Sequence, residues 1–215
     1  TAVTDGEGFF CLDRVDVVSG RSVVRFSKDG YFDVVRSLNS IGADDWDVVI
    51  CRKAGSEIST SVSYSASEAH NLQAGGMKIE MPKNGYVVDE TGKEFTGSVN
   101  ADMVYLSPEN ECFQEMMPGG DLSAQRTDGS STMLLSYGMT AVNLTDNNGN
   151  KLQLKEGSEA TLTFPIPVSM KDNLPASIPL WSFNEKTGLG EEEGQAELKG
   201  DVYVGKVKHF SLVNL

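Results

Sequence analysis

The sequence predicts an all-β chain of two tandem β-sandwich units with little helix. Apolar residues alternate with polar ones over short runs, turn signals built from Gly, Asn, Asp and Pro recur about every 8–12 residues, and no segment sustains a long 3.6-residue apolar repeat. The clearest stretch runs from Ser136 to Trp181. Val142 and Leu144 alternate with polar neighbours, Asn148-Gly149 supplies a positive-φ turn, and Leu152 and Leu154 resume the alternation, a pattern that predicts a β-hairpin. After the Glu156-Gly157 turn, Ala160, Leu162 and Phe164 keep the period of two until Pro165 and Pro167 end ladder donation.

Composition narrows the function classes. With 215 residues, 39% of them hydrophobic, the chain is long enough to fill a real core. Its 31 acidic residues against 18 basic ones give a net charge of −13, which repels nucleic acid and anionic lipid at long range. No nucleic-acid partner is expected, and membrane association only through an anchor outside this chain. No run approaches ~18 consecutive apolar residues, and Thr1 does not open a signal peptide, so a processed or trimmed ectodomain-like piece is expected.

Thr4-Asp5-Gly6-Glu7-Gly8-Phe9-Phe10 joins an Asp/Gly turn to an aromatic strand start, and Val23 to Phe26 reads as a strand ending in Lys28-Asp29-Gly30-Tyr31. Val34 and Val35, then the run Trp46 to Cys51 (WDVVIC), close the unit, the run as a strand buried on both faces. From Arg52 to Gly76 the pattern loosens, with Ile58, Val62 and Tyr64 suggesting a weak edge strand, so a boundary is placed there, between units at 1–58 and 68–215. The first unit resembles the carboxypeptidase regulatory-like, or prealbumin-like, domain through its T-D-x-x-G-x-F and K-x-G-Y segments. That resemblance implies earlier strands where only Thr1 to Val3 stand, and therefore an N-terminally incomplete sandwich with an open sheet edge.

In the second unit Met77, Ile79 and Met81 alternate, as do Val99, Ala101, Met103 and Tyr105. The landmarks in order are M-K-I-E-M-P, G-K-E-F-T-G-S-V, Y-L-S-P, M-M-P-G-G-D-L, L-S-Y-G-M, L-T-D-N-N-G-N-K-L, F-P-I-P, I-P-L-W-S-F-N-E-K-T-G and H-F-S. This set resembles a β-sandwich of the cartilage intermediate layer protein and of bacterial surface lipoproteins, and more distantly the ZU-five domain. The family's G-x-W pattern after Gly188 is broken by Gly190, which is expected to leave Trp181 less covered.

Several clusters invite chemistry. His70 stands beside Glu68 and Asn71 with no second histidine nearby and reads as a solvated linker residue. Asp146, Asn148 and Asn150 alternate as calcium ligands do, yet the glycine falls at the fourth place and no glutamate stands at the twelfth, which favours a turn. Glu191-Glu192-Glu193 reads as a solvated Gly-bounded loop rather than a cation site, and Met116, Met117, Met133 and Met139 as core filling rather than a copper surface. No G-x-S-x-G, H-E-x-x-H or phosphate-cradling glycine loop is present, so no cofactor, no metal and no conventional enzyme activity are expected. His209-Phe210-Ser211 resembles the tripeptide at which some ZU-five-type domains cleave themselves. The resemblance implies His209 as base, Ser211 as nucleophile and strain at the Phe210–Ser211 peptide; an ordinary closing strand is the alternative.

The expected function is that of a non-catalytic extracellular or cell-surface module, of outer-membrane lipoprotein type, with an adhesion, spacer or protein-interaction role toward an unidentified protein or glycan. One alternative is carbohydrate binding by Tyr31, Tyr86 or Tyr105; the other is autoproteolysis at Phe210–Ser211. Core candidates are Phe10, Phe26, Trp46, Val49, Ile79, Val99, Met103, Leu135, Val142, Leu152, Leu162, Phe164, Trp181, Val204 and Phe210. Of Cys11, Cys51 and Cys112, only Cys11 and Cys51 share a unit, and free thiols are expected because a core of this size needs no staple. Thiol titration of the denatured, unreduced protein should therefore return all three cysteines; a single reactive group would show a bridge.

Overall fold

The computed structural model describes residues 1–12, 21–39, 48–210 and 212–215. Trp46 and Ser211 lie outside the described residues. Strands β1 (Arg21–Phe26) and β2 (Val34–Asn39) form an antiparallel hairpin. The remaining strands are β3 (Ser59–Ser65), β4 (His70–Ala74), β5 (Met77–Met81), β6 (Tyr86–Val88), β7 (Glu94–Phe95), β8 (Ser98–Leu106), β9 (Ser123–Gln125), β10 (Ser131–Met133), β11 (Met139–Thr145), β12 (Leu152–Leu154), β13 (Ala160–Pro165), β14 (Ser177–Asn184), β15 (Leu189–Lys199), β16 (Val202–Val207) and β17 (Leu212–Asn214). Among the described residues, helix is confined to one turn, α1 (Phe113–Met116), and a 3-10 turn at Val168–Met170. The chain is all-β, as the alternation predicts.

The large sheet runs β3-β8-β11-β17-β14-β15-β16-β13-β5-β4, with β9 and β10 attached beside β15 to make twelve strands. Its two ends, β3 and β4, follow one another in sequence. The His70 ring stacks on Tyr64 with centroids 4.4 Å apart, and Gly75 N–H donates to Glu57 O at 3.0 Å, so the sheet curls back nearly to a barrel. His70 is thus a strand residue against an aromatic face, not a linker residue. β3, read from sequence as a weak edge strand, pairs with β8 over its whole length.

Inside the curl the alternating residues meet: Ile79, Val99, Met103, Leu162 and Phe164 are fully buried, and Val142, Leu152 and Phe210 nearly so. Two tyrosines join them. Tyr203 satisfies its hydroxyl on Pro175 O at 2.8 Å, and Tyr86 lies 3.2 Å from the Tyr64 hydroxyl, as buried phenols require. A second cluster forms on the opposite face of β8 and β11, where Phe32 and Cys51 pack on Val104, Leu106, Met116, Met117 and Met139. Three of the four methionines are core filling.

Several expectations fail, each for a local reason. The Asp146–Asn150 turn exists, but only the Thr145–Lys151 bridge continues it; β12 leaves β11 and pairs with β6 in a three-stranded sheet. Leu135 is 72% and Met133 75% exposed. The run Met133-Leu134-Leu135 hides its phase, and the structure turns Leu134 inward, as it does Ser136, whose hydroxyl bonds Asn214 Oδ1 at 2.5 Å. Val204 is half-buried because Tyr203 and Gly205 take the inward positions of β16. The described end of WDVVIC is an extended segment, not a strand: Val49, 37% exposed, donates to Glu115 O, and Cys51 O accepts from Phe32 N–H. Phe9 is exposed at the end of an Asp5-capped turn rather than in a strand, and the half-buried Phe10 and Phe26 meet edge to face with centroids 5.1 Å apart. Trp181 is 6% exposed despite Gly190. A Cβ at Gly190 would stand 3.1 Å from the Ala124 Cβ and 3.3 Å from Leu134 Cδ1, so β9 and Leu134 occupy the neighbourhood where a larger residue would sit.

Cys51 and Cys112 carry free thiols, which leaves no Cys11–Cys51 bridge. Burial pushes the Cys51 thiol up. The two leucines give the sharpest check on the core: Leu162→Ala should cost about 2–5 kcal/mol of unfolding free energy and Leu135→Ala about 0.5 kcal/mol or less, read from urea midpoints.

Candidate functional site

The β1–β2 hairpin is fastened to the large sheet through the M-M-P-G-G-D-L segment, residues 116–122. β2 treats this loop as a neighbouring strand: Gly119 N–H donates to Val35 O at 2.8 Å, and Ser37 N–H donates to Gly119 O at 3.2 Å. Arg36 lies between these two bonds and turns inward. Its guanidinium donates to Met117 O at 2.5 Å and to Gln114 O at 2.7 Å, taking up carbonyls at the end of α1 that have no helical partner. Burial pulls the Arg36 pKa down while Glu115 opposes the shift; a guanidinium stays charged regardless.

Arg21 repeats the device one strand over. Its Nη2 donates to Asp121 Oδ2 and to Ser37 Oγ, both at 2.7 Å. Ser37 Oγ also stands 3.0 Å from Gly188 O, which ties in the β14–β15 turn. The glycines are required here. Gly119 has φ +75° and a Cβ would meet Phe183 at 2.8 Å; Gly188 has φ +70° and a Cβ would meet the Ser37 Cβ at 2.5 Å. Sequence reasoning missed Arg21, Arg36 and Ser37. The available signal was the double glycine of M-M-P-G-G-D-L, which marks close backbone approach.

Below this joint, between hairpin and sheet, lies a cleft of about 440 Å³ lined by residues that include Phe32, Asn143, Phe183 and Phe210. Its rim charges are largely spent on one another. Arg25 bonds Asp33 at 3.0 Å and also Glu185, and Lys53 bonds Asp102 at 3.0 Å.

His209 and Phe210 do not belong to a strand: β16 ends at Val207, and the next strand, β17, begins at Leu212 in a different part of the sheet, between β11 and β14. The Gln153 side chain grips the Phe210 peptide groups: Phe210 N–H donates to Gln153 Oε1 at 2.9 Å, and Gln153 Nε2 donates to Phe210 O at 2.6 Å. His209 Nε2 pairs with Glu193, and the hydrogen bond that the ring donates to this carboxylate raises the His209 pKa against the effect of partial burial. A raised pKa favours the protonated ring, which cannot accept a proton as a general base.

The other candidates resolve into structure. Asp146 is a turn anchor: its carboxylate accepts the Asn148 and Asn150 backbone N–H groups and the Asn150 side chain, each at 2.8 Å, and these bonds lower its pKa. Glu191, Glu192 and Glu193 lie in strand β15, not in a loop, with Glu191 accepting from Asn184 and Glu193 from His209. Among the described residues no group of three or more His, Cys, Asp or Glu converges to hold a metal ion. Tyr86 and Tyr105 are buried and unavailable to stack on a sugar. Tyr31 is half-buried beneath Lys28 and Arg52.

The chain is distantly similar to cartilage intermediate layer proteins. Cartilage intermediate layer protein 1 of Mus musculus is 32% identical over 117 residues, or 54% of this chain, and its Sus scrofa counterpart is 31% identical over the same length. Cartilage intermediate layer protein 2 of Homo sapiens is 29% identical over 145 residues, or 65% of this chain. The matches cover 10%, 19% and 12% of those proteins' own lengths. No protein-family model and no solved structure matches the chain.

Two outcomes follow from this geometry. Arg36→Ala strands two carbonyls in the joint and should lower stability by about 2–5 kcal/mol in urea unfolding, and Arg36→Lys should fail to restore it, because an ammonium lacks the fork that spans both acceptors. By NMR titration His209 should show a pKa above the usual value of about 6.5, and Glu193→Gln should bring it down. The sign is that of a group raised on folding. The pair's contribution to stability is present at acid pH and disappears as pH climbs through the folded-state pKa.

Proposed function

We propose that this chain is a non-catalytic extracellular module that serves as a spacer and protein-interaction element, holding two β units in a fixed relation. The carrying observation is the joint. Arg36 and Arg21, both buried, bond to Gln114 O, Met117 O and Asp121 at 2.5–2.7 Å, and the Gly119 backbone pairs with Val35 and Ser37 at 2.8 and 3.2 Å, so the segment from Gln114 to Asp121 is bound to the β1–β2 hairpin. A connection made of buried hydrogen bonds to main-chain carbonyls resists bending, because any opening leaves those carbonyls and a guanidinium without partners.

Similarity to proteins named for a layer of cartilage supports the extracellular placement. The acidic surface agrees with a module kept apart from phosphates. Whether the chain stands in a matrix or on a cell surface, by lipoprotein-type anchoring, belongs to this same proposal. So does the likeness of its first residues to the carboxypeptidase regulatory-like domain, supported by the Asp5 turn and the Lys28–Tyr31 turn standing where those motifs place them.

Absence of self-cleavage is part of the reading. The paired His209 and the gripped Phe210 peptide favour a structural crossover. Held at neutral pH for days and examined by intact mass spectrometry, the chain should remain a single species. Fragments ending at Phe210 and beginning at Ser211 would replace this reading with autoproteolysis.

A further inference from the structure

The β9–β10 hairpin joins the large sheet on one side only: β9 runs parallel to β15, with Gly190 opposite Ala124, and β10 lies outside β9. The bonds across the hairpin fix which backbone groups it uses. Arg126 N–H donates to Ser130 O and Leu134 N–H donates to Leu122 O, both at 2.9 Å. Bonded and non-bonded pairs alternate in an antiparallel ladder, so the N–H and C=O groups of Ser131 and Met133 point away from β9 toward the open edge. Side-chain alternation turns Leu134 onto the cavity beside Trp181 and leaves Met133 and Leu135 75% and 72% exposed.

Edges of this kind are normally protected by charge, proline or a bulge. From Ser130 to Ser136 there is no charge, no proline and no glycine, in a chain of net charge −13. Other edges differ in charge or in what stands beside them: β1 carries Arg21 and Arg25 and β7 carries Glu94, while the uncharged β12 lies beside the Thr145–Lys151 bridge and the uncharged β3 and β4 meet through the Tyr64–His70 stack.

We propose that β10 is a self-association edge, and that two copies of this chain join by antiparallel β10–β10 pairing about a two-fold axis at Met133. The strand's self-complementary register selects a second copy as the occupant. In the register centred on Met133, Met133 faces its own counterpart, Thr132 faces Leu134 and Ser131 faces Leu135, so every cross-strand pair is uncharged. Contact between two copies through the acidic faces, such as the outer face of β15 with Glu191, Glu193 and Glu197, opposes like charges instead. The register also matches the outward backbone groups, since residues 131, 133 and 135 pair with 135, 133 and 131, and a two-fold contact needs no surface beyond this strand.

A single short strand pair with two apolar side chains from each copy is a small contact, below the ~1,200 Å² of stable interfaces, so the dimer is weak and concentration-dependent. Sedimentation equilibrium from about 10 μM to about 1 mM spans the affinities such a contact supports. The expected result is a mass that rises from monomer toward dimer, more readily at high salt because screening removes the background repulsion. Met133→Lys and, separately, Leu135→Lys should weaken association about tenfold or more, with the circular dichroism spectrum and melting temperature unchanged because both positions face solvent. A chain that stays monomeric throughout at either salt overturns the proposal. So does a dimer that neither lysine variant weakens, or an edge that takes up an added extended peptide while the chain itself stays monomeric.

Discussion

The guanidinium of Arg36 spans two main-chain carbonyls, those of Gln114 and Met117, and the arrangement of the rest of the molecule depends on it. With those acceptors held, Gly119 can lie against β2 and pair with Val35 and Ser37. Met116 and Met117 are then delivered to the apolar layer under Phe32 and Cys51. Ser37 meets the Gly188 turn of the β14–β15 hairpin, so one side chain coordinates a loop, a hairpin and a core layer. Losing these contacts where water does not reach would leave buried acceptors unpaired, which is why the joint belongs to the folded state rather than to a loose linker.

Much of the fold is legible in the sequence because its strands bury one face. Ile79, Val99, Met103, Leu162 and Phe164 sit at period-two positions bounded by turn residues, and each is fully buried. Legibility ends where the pattern has no phase or where the partner is remote. Met133-Leu134-Leu135 is apolar throughout, so no periodicity says that Leu134 alone faces in; likewise Val202 to Val204 does not reveal that Tyr203 is the core residue of β16. The pairing of β12 with β6 rather than β11 is a long-range choice that a strong Asn-Gly turn signal conceals. The joint was less legible still. Arginines in a strand read as solvent-facing, and their acceptors lie 78 to 100 residues away, at a loop whose local mark is two adjacent glycines.

The candidate site shows the same division. The tripeptide at 209–211 was visible as a motif, but its role follows from contacts that no motif encodes: Glu193 on the imidazole and Gln153 on both sides of Phe210. The acidic run and the Asp146 turn invite metal chemistry only while their donors are unknown. Once Asp146 is seen to accept three hydrogen bonds, its oxygens are committed to shaping a turn. What emerges is a protein whose polar side chains mostly hold its own backbone in place.

Native-state hydrogen exchange at Gly119 and Ser37 tests the central claim most directly, because these two amides make the bonds on either side of Arg36. If the joint is an integral part of the fold, both exchange only through global unfolding, with the same opening free energy as the Leu162 amide in the core. Exchange at Gly119 and Ser37 through a local opening several kcal/mol below the global value, while Leu162 stays protected, would show a hinge and contradict the account.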